Sequence, residues 1–168
     1  FEIINYELNI TAVSGGTATG SGLIPYGNLA QISATALDGY SFSGWTGNGV
    51  TDPNSPTTTV SMTEARNITA SFTLNSYALN ISITGEGSVA GAGIYSHDDQ
   101  VTISAVPSTG FSFSKWEGNG IFDIQSATTT VSMTEDRNLT AIFGTNSYSL
   151  LLSAGNGGTV TGSGTFSY

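Results

Sequence analysis

The sequence predicts an all-β protein, mainly antiparallel, built from small β-rich units in tandem. Each unit is expected to be β-grasp-like or a small sandwich, with room for one short helical turn. Three observations predict this. The sequence overlays on itself at a fixed offset of 71 positions. Within that period, segments alternate apolar and polar residues as half-buried strands do. No stretch has the length or the 3.6-residue period of a substantial helix.

The offset is regular. Tyr6, Tyr77 and Tyr148 open similar phrases 71 positions apart, and the same spacing relates Gly39 to Gly110, Trp45 to Trp116, Met62 to Met133 and Arg66 to Arg137. No insertion or deletion is needed, and a fixed period of this kind marks a repeat architecture. Phe1 aligns with Phe72 and Phe143, and Tyr168 with Tyr26 and His97. The phase therefore predicts a window on a longer array. Residues 1–5 are the last strand of a preceding repeat, 6–76 repeat 1, 77–147 repeat 2, and 148–168 the start of a truncated third repeat.

Six strands are expected per copy. Tyr6-Glu-Leu-Asn-Ile-Thr-Ala-Val13 alternates cleanly, and Ser14-Gly15-Gly16 then supplies a tight turn where φ > 0 is needed. Thr17 to Gly22 is a short second strand and Ala30 to Ala36 a third, followed by a turn at Asp38-Gly39. Tyr40-Ser-Phe-Ser-Gly-Trp45 is the fourth. A longer loop opens at Gly47-Asn-Gly49 and runs through Pro53 and Pro56 to the fifth strand, Thr58 to Met62. Thr63 to Asn67 is a tight connection, where Thr63 is placed to cap one helical turn, and Ile68 to Phe72 is the sixth strand. Between Phe72 and Tyr77 lie only Thr73-Leu-Asn-Ser76, without Gly or Pro, so a stiff junction is expected. A unit of this length is on the order of 25–35 Å across, and copies stacked end to end would lengthen a rod by about that much each.

Composition narrows the function. Twelve acidic residues against three basic ones give a net charge of −9, which disfavours nucleic acid and anionic membranes as partners. There is no Cys, so disulfides, thiolate metal sites and Cys nucleophiles are excluded. No apolar run approaches a membrane span, and no cofactor motif is present. The glycine-rich stretches Gly15-Gly16 and Gly155-Asn-Gly-Gly158 lack the Lys and following helix of a phosphate loop. A unit this small buries a limited core, so neighbouring repeats of the same chain are the first expected partners.

Gly39, Tyr40, Phe42, Trp45, Gly47, Thr59, Met62, Ile68, Ala70 and Phe72 form a phrase, Gly-aromatic-x-Phe-x-x-Trp followed by a Thr-rich strand, Met-Thr and Ile-Thr-Ala-x-Phe. Gly110, Phe111, Phe113, Trp116, Gly118, Thr130, Met133, Leu139, Ala141 and Phe143 repeat it. This phrase resembles the divergent InlB B-repeat family of bacterial surface and secreted proteins. The resemblance covers nearly the whole chain. It implies compact β-rich units used in tandem at the cell surface or outside the cell, and no enzymatic activity.

Few residues offer chemistry. Trp45, Trp116 and Tyr26, if exposed, could stack on sugar rings, but large aromatics also dominate the core of a small unit. The simpler arrangement has Tyr40 and Phe42 alternating into the core with Trp45 at its edge. His97-Asp98-Asp99 is a weak cation candidate through Asp98 and Asp99, yet the first copy has Tyr26-Gly27-Asn28 there. Arg66 with Glu64, and Arg137 with Glu135, read as local surface pairs worth about 0–1 kcal/mol. Lys115 stands where the first copy has Gly44, against a Lys–Asn crosslink common to the copies. Asn9, Asn67, Asn80 and Asn138 each begin an Asn-x-Ser/Thr match, which strand alternation produces without any glycan.

The resulting expectation is a non-enzymatic stalk, spacer or filament segment of an exported bacterial surface protein, linked to adhesion. The alternative is a carbohydrate- or protein-binding module accessory to a secreted enzyme or adhesin. A variant of the first has copies of the protein joining edge to edge.

Overall fold

A computed structural model of the chain describes residues 2–168; Phe1, aligned with Phe72 by the repeat, lies outside the described residues. The chain divides into two compact units, Phe1–Asn75 and Ser76–Tyr168. Among the described residues there is no helix.

Repeat 1 comprises β1 (Asn5–Ala12), β2 (Gly16–Thr19), β3 (Gly22–Pro25), β4 (Leu29–Ala36), β5 (Tyr40–Thr46), β6 (Thr57–Ser61) and β7 (Arg66–Leu74). Repeat 2 reproduces them as β8 (Ser76–Thr84), β9 (Gly87–Ala90), β10 (Gly93–Ser96), β11 (Gln100–Pro107), β12 (Phe111–Glu117), β13 (Thr128–Ser132) and β14 (Arg137–Thr145). Of the two architectures the sequence allowed, each copy is the sandwich. One sheet has the order β3-β1-β7-β5 and the other β2-β4-β6, with β10-β8-β14-β12 and β13-β11-β9 in the second copy. All neighbours are antiparallel except the first and last strands of each copy. Leu8 to Ala12 of β1 run parallel to Arg66 to Ala70 of β7, and β8 runs parallel to β14 in the same way.

Alternation supplies the inner faces. Leu8, Trp45, Ile68 and Ala70 from one sheet meet Ala30, Ile32, Val60 and Met62 from the other in a single buried cluster. Leu79, Trp116, Leu139 and Ala141 meet Val101, Ile103, Val131 and Met133 in the second copy. Two outer edges are covered by the loop after β5. Trp45 N donates to Pro53 O at 2.8 Å, and Val50 bridges to Val60 beside β6.

The structure departs from the sequence reading in four places. A seventh strand, β3, was not expected, because Gly22-Leu-Ile-Pro25 does not alternate; the predicted Thr17–Gly22 strand ends at Thr19. The helical turn at Thr63 does not form: the segment is a bend, and Thr63 Oγ1 accepts from Arg66 Nη2 at 3.0 Å. The connection between copies shrinks to Asn75, since Thr73 and Leu74 extend β7 and Ser76 opens β8. Residues 2–4 lie in no strand, and Asn5 already belongs to β1.

In the third-copy segment, β15 (Ser147–Leu150) and β16 (Gly164–Ser167) form a hairpin matching β1 and β3. Residues 151–154 form no strand; their counterparts 9–12 pair only with β7. Leu150 is accordingly 48% exposed, whereas the equivalent Leu8 is fully buried.

The recurring glycine at the start of the second strand has a packing role. Gly16 and Gly87 are at ordinary φ, but a Cβ on either would lie about 2.2–2.5 Å from the ring of Phe72 or Phe143. The sheets close only because these positions lack a side chain. The turn glycine beside them shifts between copies, Gly15 in one and Gly85 in the other, since either place serves φ > 0. Gly87→Ala should therefore cost about 1–3 kcal/mol by overpacking. Adding Phe143→Leu should recover part of that loss in a urea-denaturation double-mutant cycle. Additive losses would refute the contact.

Candidate functional site

The tryptophans are placed by a bulge. A regular strand would turn Trp45 to the opposite face from Phe42, three residues earlier. The pairing of β5 with β7 slips between Phe42 and Gly44, and that of β12 with β14 between Phe113 and Lys115. The extra residue returns the indole to the inner face. Trp45 is 4% exposed and Trp116 1%. Each packs at 5.6 Å from its neighbouring Phe ring, and each indole Nε1 donates to a loop carbonyl, Ser55 O at 2.9 Å or Ser126 O at 3.0 Å. These rings are core and loop anchors, so they present no stacking surface to a sugar. They lie deeper than the edge position expected from alternation. Tyr26 differs: it is 60% exposed and meets Tyr6 edge-on at 6.2 Å.

His97, Asp98 and Asp99 form a turn. Asp98 has φ 67, and the first copy has Gly27 there at φ 82. The backbone pattern is shared: Gly27 N donates to Met62 O at 2.8 Å and Asp98 N to Met133 O at 2.9 Å. Asp99 Oδ2 accepts from Ser96 N at 2.8 Å, and His97 Nε2 lies 3.5 Å from Asp98 Oδ1. Among the described residues, no cluster of three or more His, Asp or Glu could hold a metal.

The arginines are more enclosed than the surface pairs expected. The Arg66 side chain is 11% exposed and that of Arg137 9%, while their Glu partners are largely exposed. Arg66 Nε donates to Ser61 O at 3.3 Å and Nη1 to Glu64 Oε1 at 2.8 Å. Arg137 repeats this with Ser132, Thr134 and Glu135. The planar guanidinium ties the end of β6, the bend and the loop at Gly49, where a Cβ would come within 3.0 Å of Arg66 Nε. Gly47, Asn48, Glu64, Ala65, Arg66 and Asn67 line an open, polar cleft of about 370 Å³ beside it. The donors of Arg66 that would greet an anion there are engaged by Glu64, Thr63 and Ser61.

Lys115 pairs with Glu117 at 2.7 Å, on the outside. The four Asn-x-Ser/Thr matches lie on the outer face in two facing pairs. Asn9 Nδ2 donates to Asn67 Oδ1 at 3.3 Å and Asn80 Nδ2 to Asn138 Oδ1 at 3.1 Å. Sequence reasoning also missed the junction asparagines. Asn75 N donates to Gly39 O at 2.8 Å and Asn146 N to Gly110 O at 2.7 Å; their recurrence at the repeat offset was the available signal. In the second unit the ring of Tyr168 lies directly against Gly110.

What recurs in both copies is therefore packing: buried Trp, enclosed Arg, glycines under aromatic rings. What does not recur is the chemically distinctive set His97, Asp98 and Lys115. The class is a tandem β-sandwich repeat protein. The chain belongs to the divergent InlB B-repeat family, whose domain model matches residues 6–76 and again residues 77–147. That family is associated with bacterial surface proteins. No curated protein and no solved structure matches the chain.

Two substitutions check these assignments. Arg137→Lys should lower stability by about 1–3 kcal/mol, because a single ammonium cannot make the forked set of bonds; an unchanged denaturation midpoint would return the residue to a simple surface role. Asp98→Gly should raise stability by up to about 1 kcal/mol by relieving the left-handed backbone. A fall in stability would contradict the turn assignment.

Proposed function

We propose that the chain is a non-enzymatic segment of a repeat array that spaces or presents other parts of a bacterial surface protein. The observation that carries this reading is the parallel pairing of the first and last strands within each copy. Parallel neighbours point the same way, so the chain enters a copy at one end of the sheet and leaves at the other. That path suits repeats joined head to tail. The single residue Asn75 between β7 and β8 adds to it, since so short a connection leaves few free torsions. The family's association with surface proteins supports an extracellular or surface location.

The alternative, a glycan-binding module, loses its main residues with the burial of Trp45 and Trp116 and retains the exposed Tyr26 alone. Small-angle scattering of the whole chain tests the array reading. The expected particle is elongated, with a maximum dimension of about 60 Å or more, from two units on the order of 25–35 Å each. A compact globule would overturn it. Glycan-array binding abolished by Tyr26→Ala in a folded protein would favour the module instead.

A further inference from the structure

We infer that each repeat is a mechanical element that resists tension by shear, and that the parallel pair of its first and last strands is the clamp. The geometry dictates the direction of load. Tension along the chain pulls the start of β1 one way and the end of β7 the other. Because the strands are parallel neighbours, these forces act along the pair and slide one strand past the other. Every rung from Leu8–Arg66 to Ala12–Ala70 is then loaded at once, as is every rung from Leu79–Arg137 to Thr84–Ile142 in the second copy. Pulling the same pair apart from one end would load its rungs one at a time.

The Asn-x-Ser/Thr phrases belong to this clamp. They face each other across it, Asn9-Ile-Thr11 beside Asn67-Ile-Thr69 and Asn80-Ile-Ser82 beside Asn138-Leu-Thr140. Besides the Asn–Asn bonds, Thr11 and Thr69 hydroxyls lie 2.8 Å apart, as do those of Ser82 and Thr140. Ser82 Oγ also donates to Leu139 O at 3.1 Å. These bonds cross the seam at right angles to the load and add side-chain rungs to the backbone ladder. Beneath them Leu8 and Ile68, or Leu79 and Leu139, are buried against the second sheet, so water does not reach the seam from inside.

Single-molecule force spectroscopy on the whole chain tests this, and the absence of native Cys makes introduced thiols unique handles. Glu7→Cys with Thr73→Cys places handles at opposite ends of the clamp. Glu7→Cys with Ala65→Cys places both at one end. All three positions are exposed. At equal loading rate the first pair should rupture at severalfold higher force than the second. Equal forces, or low forces in both, would overturn the clamp. Asn67→Ala with Thr69→Ala should lower the rupture force of the first pair; an unchanged force would overturn the role given to the Asn-x-Thr phrases. The inference deepens the array reading but fails separately: equal forces would leave an elongated particle standing, and a compact particle would leave the anisotropy of the clamp standing.

Discussion

The pairing of first and last strand governs how each copy folds. Asn9 and Asn67 are 58 residues apart in sequence and adjacent in space. Closing so long a loop costs conformational entropy before any contact offsets it. Burial of Leu8, Ile68 and Ala70 on the inner face, with the outer Asn and Thr bonds, provides that offset. Once β1 and β7 occupy the centre of one sheet, only the flanks beside them remain. β3 and β5 fill these, and β2, β4 and β6 must form a second sheet over the exposed apolar side.

Closing the two sheets imposes the next constraints. Phe72 and Phe143 need a residue without a side chain opposite them, which Gly16 and Gly87 provide. The indole of each Trp needs an acceptor once buried, and the loop after β5 supplies Ser55 O or Ser126 O. That loop then lies along β5 and β6 and covers edges that would otherwise be open to another chain. Arg66 holds the start of the same loop, at Gly49, against the bend before β7, and Arg137 does so at Gly120 before β14. Core, loop and clamp are therefore linked within each copy.

Much of this was legible in the sequence, and the gaps have physical causes. The period, the repeat organisation and most strands follow from alternation in Tyr6–Ala12, Ala30–Ala36 and Ile68–Phe72. Alternation is blind to strand direction, so the parallel pair could not be read from it. β3 escaped because an edge strand of Gly, Leu, Ile and Pro has no period. Thr63 looked like a helix cap, but its hydroxyl accepts from the guanidinium of Arg66. The depth of the tryptophans depends on a bulge after Phe42 that shows in the sequence only as an odd spacing, two residues between Phe42 and Trp45 rather than one or three. Gly44 marks that bulge in one copy, but Lys115 holds the same place in the other, so even the glycine was an incomplete sign.

The two copies also separate packing from surface. Fully buried positions mostly keep their identity along the period, as expected where each methylene is felt, with Ala30 becoming Val101 and Ile68 becoming Leu139 among the exceptions. Outer positions are free to drift, and several do: Glu7 becomes Ala78, Thr46 becomes Glu117, Ser71 becomes Ile142 and Thr73 becomes Gly144. At the side-chain-bonded positions of the seam between first and last strands the drift nearly stops, although Ile142, on its last rung in the second copy, stands where the first copy has Ser71. Asn9 and Asn80, Asn67 and Asn138, and Thr69 and Thr140 keep their identity, and Thr11 changes only to Ser82, which keeps the hydroxyl. Burial cannot explain this, because the seam shares the outer face with the positions that vary. A glycan attaches through the Asn Nδ2, and here the Nδ2 groups of Asn9 and Asn80 are given to Oδ1 of Asn67 and Asn138 across the strands. Side-chain bonds across one particular strand pair account for both the identity and the location of these residues, and that pair is the one through which tension along the chain must pass.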